Sequence, residues 1–234
     1  MVSPDIVYTY TFGLADGTTP SFSIVLDPRT LALKEPSPDV KPAWTELPFH
    51  RCPTCPLSPD DHTHCPAALA VVPLVDFLFR ADGDTLAEVT VGAPARTYRK
   101  RVPIRVAMSS LMGLRTAASG CPVMGKLRPL VRFHLPFATT EETQFRSISM
   151  YLFAQYLRMK SGRTPDWEMK EYEWYYQELR VTNEHFHRRL QAGASSVGAD
   201  ALTLLNLSAQ NVVFLLDAGM MDDLTASFMS HLRE

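Results

Sequence analysis

An α+β fold is predicted by three observations on this sequence of 234 residues. Two pairs of β-branched and aromatic runs stand in the first half, each pair joined by a turn-forming segment. Prolines at 28, 36, 38, 42 and 48 forbid a long helix between the first pair and the second. From residue 139 onward the pattern changes to long helical periods with capping residues at their ends. The expected architecture is antiparallel hairpins and short helices around a cysteine-bearing loop, then a C-terminal helical bundle. Residues 1–138 and 139–234 form the two parts, as separate domains or as one continuous domain.

The first hairpin comprises Ile6 to Phe12 and Ser21 to Leu26, joined through Ala-Asp-Gly-Thr-Thr-Pro. Asp-Gly between apolar alternations is a strong turn signal, because glycine accepts a positive φ at no steric cost. A short buried helix is expected from Pro66 through Ala-Leu-Ala-Val-Val-Pro-Leu-Val-Asp-Phe-Leu-Phe. The second hairpin is Thr85 to Val91 with Arg96 to Val102. Pro103 then opens a helix that Gly120 ends, and Pro122 opens another short one. Thr139 followed by Glu142 is a capping-box signature for the next helix, which Ser161-Gly162 stops. Asp166 to Gln191 reads as a further helix, with acids early and His187, Arg188 and Arg189 late, as the helix dipole favours. The segments Ala199 to Gly219 and Met221 to Glu234 complete the bundle.

Composition excludes several classes. The chain is 46% hydrophobic and 21% charged with a formal net charge of −2, so no global polyanion-binding character is indicated. The N-terminal stretch carries Asp5 and Asp16 and no basic region, which argues against a secretory signal. The longest apolar run, Ala67 to Phe79, is broken by Pro73 and Asp76, short of the roughly 20 residues a spanning helix needs. A cytoplasmic protein without membrane partners is expected. In that compartment four cysteines point to metal ligation or reactive thiols rather than a disulfide framework.

Those cysteines are Cys52, Cys55, Cys65 and Cys121, and each is followed by proline. With 18 prolines in the chain, four such steps by chance have a probability well below about one in a thousand. Proline removes a backbone N–H, fixes φ and shields a centre with an apolar ring. At Cys65 and Cys121 it also suits the first helical position, which leaves each cysteine as N-cap with its thiolate favoured. The cysteine loop is therefore read as a metal-binding loop with all four residues as ligands. One compact trio and a remote fourth cysteine favour a [4Fe–4S] cluster over zinc, because structural zinc usually takes two close pairs. Zinc stays open, since His50, His62 or His64 can replace a cysteine. A thioredoxin-like reading of Cys52-Pro-Thr-Cys55 is opposed by Pro56 and by the lack of a βαβ frame.

A second pattern surrounds the fourth cysteine. No Asp or Glu occurs from Val89 to Thr140, while Arg96, Arg99, Lys100, Arg101, Arg105, Arg115, Lys126, Arg128 and Arg132 all fall there. Arg99, Lys100, Arg101, Arg128, Arg132 and His134 are candidate anion-binding residues, and the 96–132 segment is a candidate surface for nucleic acid or an acidic protein. Ion pairs of Arg128 or Arg132 with Glu141 or Glu142 are the structural alternative. No phosphate-cradling glycine motif and no nucleophile elbow is present.

The strings Cys-Pro-Thr-Cys-Pro-Leu, His-Cys-Pro-Ala, Ser-Gly-Cys-Pro and Arg-Phe-His-Leu-Pro-Phe-Ala-Thr-Thr-Glu-Glu-Thr, with Tyr-Leu-Phe-Ala-Gln-Tyr in the helix that follows, resemble an uncharacterised bacterial family, a domain of unknown function. The resemblance spans most of the chain and implies no known activity. The expected function is a cysteine-ligated metalloprotein whose cluster serves structure, redox chemistry or sensing. The alternatives are a structural-zinc protein with a basic binding face, and an enzyme using Arg128, Arg132 and His134 around a small anion.

Overall fold

The first strand, β1 (Ile6–Gly13), sets the frame by strict alternation: Ile6, Tyr8, Tyr10 and Phe12 are buried while Val7 points outward. The structure is a computed structural model and describes residues 3–193 and 225–232. β2 (Ser21–Leu26) pairs antiparallel with β1, Tyr8 opposite Ile24, across a turn in which Gly17 adopts φ of +83°. β3 (Leu86–Ala93) pairs with the other edge of β1, Tyr10 opposite Val91, and β4 (Arg96–Pro103) pairs with β3. Both expected hairpins thus join one four-stranded antiparallel sheet in the order β2-β1-β3-β4. One face buries Tyr10, Phe12, Ile24, Val89 and Val91. On the other, short hydroxyl pairs such as Thr9–Ser23 (3.1 Å) and Thr11–Ser21 (3.2 Å) face outward.

Helices cover the buried face. α1 (Pro66–Arg80) has Cys65 at its N-cap position and Pro66 in its first turn, where a missing N–H costs nothing. Pro73 sits inside α1 on an exposed position. α2 (Ile104–Ala118) follows β4 without a loop and lays Ile104, Ala107, Met108, Leu111, Met112 and Leu114 into the core. Gly120, at φ +95°, turns the chain out of α2. Pro122 does not open a regular α-helix as expected: a turn leads into a 3-10 segment, Met124–Leu127, and then α3 (Arg128–Arg132).

α4 (Thr140–Lys160) begins with the expected capping box, Thr139 Oγ1 accepting from the Glu142 N–H (3.1 Å) and Glu142 Oε2 from the Thr139 N–H (2.7 Å). Gly162 at φ +75° follows its end. α5 (Lys170–Gly193) starts four residues after Asp166, because Met169 takes φ of +60° and breaks the helical run. Asp166 still serves the new N-terminus by accepting the Glu171 N–H at 2.8 Å. The expected helix over 199–219 lies outside the described residues. Of the last expected helix, a short piece, Met229–Leu232, is described.

Arg189 departs most from its sequence reading. It is not a dipole-facing surface cation but a buried side chain, 1% exposed. Its Nη1 donates to the carbonyls of Trp44 (2.8 Å) and Glu46 (2.6 Å), and its Nη2 to Leu47 (3.1 Å). These bonds hold α5 to the irregular segment that leads into the cysteine loop. At the end of the same helix, a Cβ added to Gly193 would overlap the Trp44 side chain.

Arg189→Met should therefore strand the buried carbonyls of Trp44 and Leu47 and lower the stability to urea by roughly 3 kcal/mol. Gly193→Ala should also destabilise, despite alanine's better helix propensity, because Trp44 must move. Unfolding midpoints equal to wild type for both variants would contradict this account of how α5 is held.

Candidate functional site

The structure brings the four cysteines to one place. Cys52, Cys55, Cys65 and Cys121 all line a single small cavity of about 20 Å³, together with Pro56, Leu57, Met124 and Phe186. All four are free thiols. Cys52 and Cys55 bracket a turn closed by the Cys55 N–H on the Cys52 carbonyl (3.0 Å), and Cys52 Sγ donates to the Thr182 carbonyl of α5 at 3.7 Å. Thr54 and Thr182 share a 2.8 Å hydroxyl bond beside it.

The metalloprotein reading is nevertheless corrected. Among the described residues, no group of three or more His, Cys, Asp or Glu side chains is arranged to hold a metal ion. The thiols border a common void without converging on one ion, so the function expected from them, whether through a [4Fe–4S] cluster or zinc, does not follow. His64 bonds through Nδ1 to Thr45 Oγ1 (3.0 Å), and His50 is exposed beside Phe49. Burial raises the Cys52 thiol to about 12, with Cys65 and Cys121 adding to the rise and the Arg189 guanidinium opposing it. Burial also raises Cys65 and Cys121, against backbone N–H groups of Ala68 and Met124 respectively.

The candidate anion-binding residues lie on two elements, Arg99, Lys100 and Arg101 on β4 and Arg128 and Arg132 on α3, with His134 after it. Arg99 on β4 forms an ion pair with Glu88, and Lys100 and Arg101 are exposed along the same edge strand. Arg128 donates to the Ala117 carbonyl (3.4 Å), and Arg132 to the Pro28 carbonyl. The expected pairing with Glu141 or Glu142 is replaced by these backbone contacts, Glu142 being used in its cap. Within the basic stretch, Arg105 pairs with Asp84, and buried Arg115 binds Glu35 through two nitrogens.

His134, two residues after Arg132, lines a larger cavity of about 470 Å³ between α2, α3 and α4. Its apolar walls come from α2, α3 and the connection to α4, among them Leu114, Leu130, Val131 and Phe137, while α4 contributes Thr143 and Arg146. Nothing lies within 4 Å of a Cβ built on Gly113, so this glycine leaves the α2 wall open. The polar lining is sparse: Arg105, Ser109, Ser110, His134, Thr143 and Arg146. His134 Nε2 lies 2.6 Å from the hydroxyl of Tyr10, which lies 2.9 Å from Ser110 Oγ. With Ser110 donating to Tyr10 and Tyr10 to Nε2, the imidazole is the neutral Nδ1–H tautomer. Desolvation, and secondarily the Arg146 charge, depress its pKa to about 3. Arg146 Nη2 donates to the carbonyls of Phe133 (2.6 Å) and Leu130 (3.3 Å).

Tyr10, Ser110, Gly113 and Arg146 were not singled out by the sequence. Tyr10 looks like any core position of a strand, and Ser110 like any helix residue. Their convergence depends on which helix lies over β1.

A neutral, half-buried histidine has a definite pH consequence. Its folded pKa is depressed from 6.5 to about 3, so its contribution is full above pH 6.5 and is lost as pH falls toward 3. His134→Gln, which keeps an acceptor for Tyr10, should show a shallower loss of stability than wild type across that window. Identical pH slopes in urea unfolding would contradict the placement of His134.

Among the described residues no helix is long and apolar enough to cross a membrane. No curated protein and no solved structure matches the chain. Residues 6–228 match the family described as Domain of unknown function (DUF6901), and the chain belongs to that family.

Proposed function

We propose that this chain is a small-molecule-binding domain whose cavity between α2, α3 and α4 takes an amphipathic carboxylate. The observation that carries the reading is the cavity's composition: about 470 Å³ lined mostly by apolar side chains, with Arg105, Ser110, His134 and Arg146 among its few polar groups. Arg146 supplies a half-buried cation that spends one nitrogen on two carbonyls. A guanidinium so placed is suited to a carboxylate, which it meets in a planar, charge-assisted contact. His134 is held neutral, so it offers a directional hydrogen bond at neutral pH without adding charge. An alkyl or aromatic body would fill the space beside Leu114, Leu130 and the open side of Gly113.

The chemistry of the walls predicts how affinity scales. In a series of straight-chain monocarboxylates, each added methylene should contribute about 0.8 kcal/mol until the cavity is full. Thermal stabilisation should rise along that series and exceed the effect of the corresponding alcohols. Gly113→Leu, which points a side chain into open space, should abolish the stabilisation while leaving the unliganded melting temperature close to wild type. Arg146→Met should bring acids and alcohols to the same weak effect. A flat response to chain length, or an undiminished response in Gly113→Leu, would overturn the reading.

A further inference from the structure

The cysteine loop carries a second chemistry, independent of the ligand cavity. We infer that Cys52 and Cys55 form a dithiol that is oxidised to an intramolecular disulfide by low-molecular-weight disulfides, while Cys65 and Cys121 stay reduced behind it. Four observations support this.

The first is reach. Cys52 and Cys55 are the ends of a four-residue turn closed by a 3.0 Å backbone hydrogen bond. Such a turn holds its end Cα atoms within about 7 Å, overlapping the roughly 4.4–6.8 Å that a disulfide spans. The second is access. Cys52 and Cys55 are half-buried, whereas Cys65 and Cys121 are buried, so a small reagent meets the first pair. The third is room: the thiols border a shared void, so the two sulfurs can turn toward each other. The fourth is asymmetry. Cys52 Sγ is engaged with the Thr182 carbonyl at 3.7 Å and must leave it to react, whereas Cys55 sits at the other end of the turn from that contact. Cys55 is thus the attacking sulfur and Cys52 the resolving one.

The chemistry balances. Cys55 sulfur attacks one sulfur of the external disulfide, forming a mixed disulfide and releasing one thiolate, which takes the Cys55 proton. Cys52 sulfur then attacks the Cys55 sulfur, closing the intramolecular bond and releasing the second thiolate, which takes the Cys52 proton. The protein dithiol loses two electrons, and the external disulfide gains them as two thiols. Because Cys52 must leave the Thr182 carbonyl, oxidation also unties one contact between the loop and α5. Without a βαβ frame the pair is a modification site rather than a disulfide-exchanging active site.

The test uses the full chain, reduced, desalted and incubated with oxidised glutathione, then acid-quenched, alkylated in denaturant and mapped by peptide mass. The expected result is loss of two alkylatable thiols, both at Cys52 and Cys55, joined in one linked peptide. Cys52→Ser should accumulate a glutathione adduct on Cys55, and Cys55→Ser should react at least tenfold more slowly. Four alkylatable thiols after treatment, or a disulfide that includes Cys65 or Cys121, would overturn the inference. So would thiols withheld from alkylation before the reagent is added. The wild-type map decides the matter even if a variant fails to fold.

Discussion

The burial of α2 against the inner face of the sheet is the constraint on which the rest of the molecule depends. The helix leaves β4 with no loop, so its direction is set by the strand, and its apolar residues from Ile104 to Leu114 are driven onto Tyr10, Val89 and Val91. Once seated, it places a different group at each turn. Arg105, Ser110 and Gly113 face the large cavity, Arg115 reaches back to Glu35 and the Ala70 carbonyl, and the chain beyond Gly120 delivers Cys121 beside the loop of Cys52 and Cys55. One packed helix thus organises both the ligand cavity and the thiol cavity. It also brings Ser110 within hydrogen-bonding distance of Tyr10, whose hydroxyl meets His134 Nε2 in turn.

The second organising contact is Arg189. A guanidinium at 1% exposure, bonded to backbone carbonyls and with a buried Nε that has no partner among the described residues, is an expensive feature. It joins a helix from the C-terminal half to residues 44–47, and the buried side chains form one contiguous core that includes both Tyr10 and Leu179. The positive charge lies close enough to Cys52 and Cys65 to pull both thiols down against the stronger effect of burial. The loop therefore combines neutral thiols with a local field that favours their ionised form, the setting in which disulfide exchange is slow but directed.

Short-range signals were readable from the sequence wherever one residue does a job alone. The Asp16-Gly17 turn, the Thr139–Glu142 box, the Gly120 and Gly162 exits and the Cys65-Pro66 helix start all stand as expected. Signals that need a partner were not readable. α4 turns Gln144, Ser147 and Gln155 inward, where Ser147 bonds Tyr172 and Gln155 accepts the Asp166 N–H, while Phe153, Tyr156 and Leu157 are exposed. No periodicity rule selects that face. The cysteines illustrate both halves of the lesson. Their four Cys-Pro steps were read as one metal site, yet spacing along the chain does not determine how sulfurs converge, and among the described residues the ligand geometry of a metal ion did not follow. In the basic stretch, charge counted along the chain did not foresee the carboxylates that Glu88, Asp84 and Glu35 bring to Arg99, Arg105 and Arg115 across the fold.

The central claim is that the cavity around His134 and Arg146 is where this domain meets its ligand. Nuclear magnetic resonance of the ¹⁵N-labelled protein during titration with decanoate tests it most directly, by following the His134 ring nitrogens and the Arg146 Nε–H. The account predicts a neutral Nδ1–H imidazole in the free protein and saturable shifts at both residues, with the Arg189 Nε–H unmoved. Shifts confined to other parts of the molecule, or none at His134 and Arg146 at saturating ligand, would contradict it.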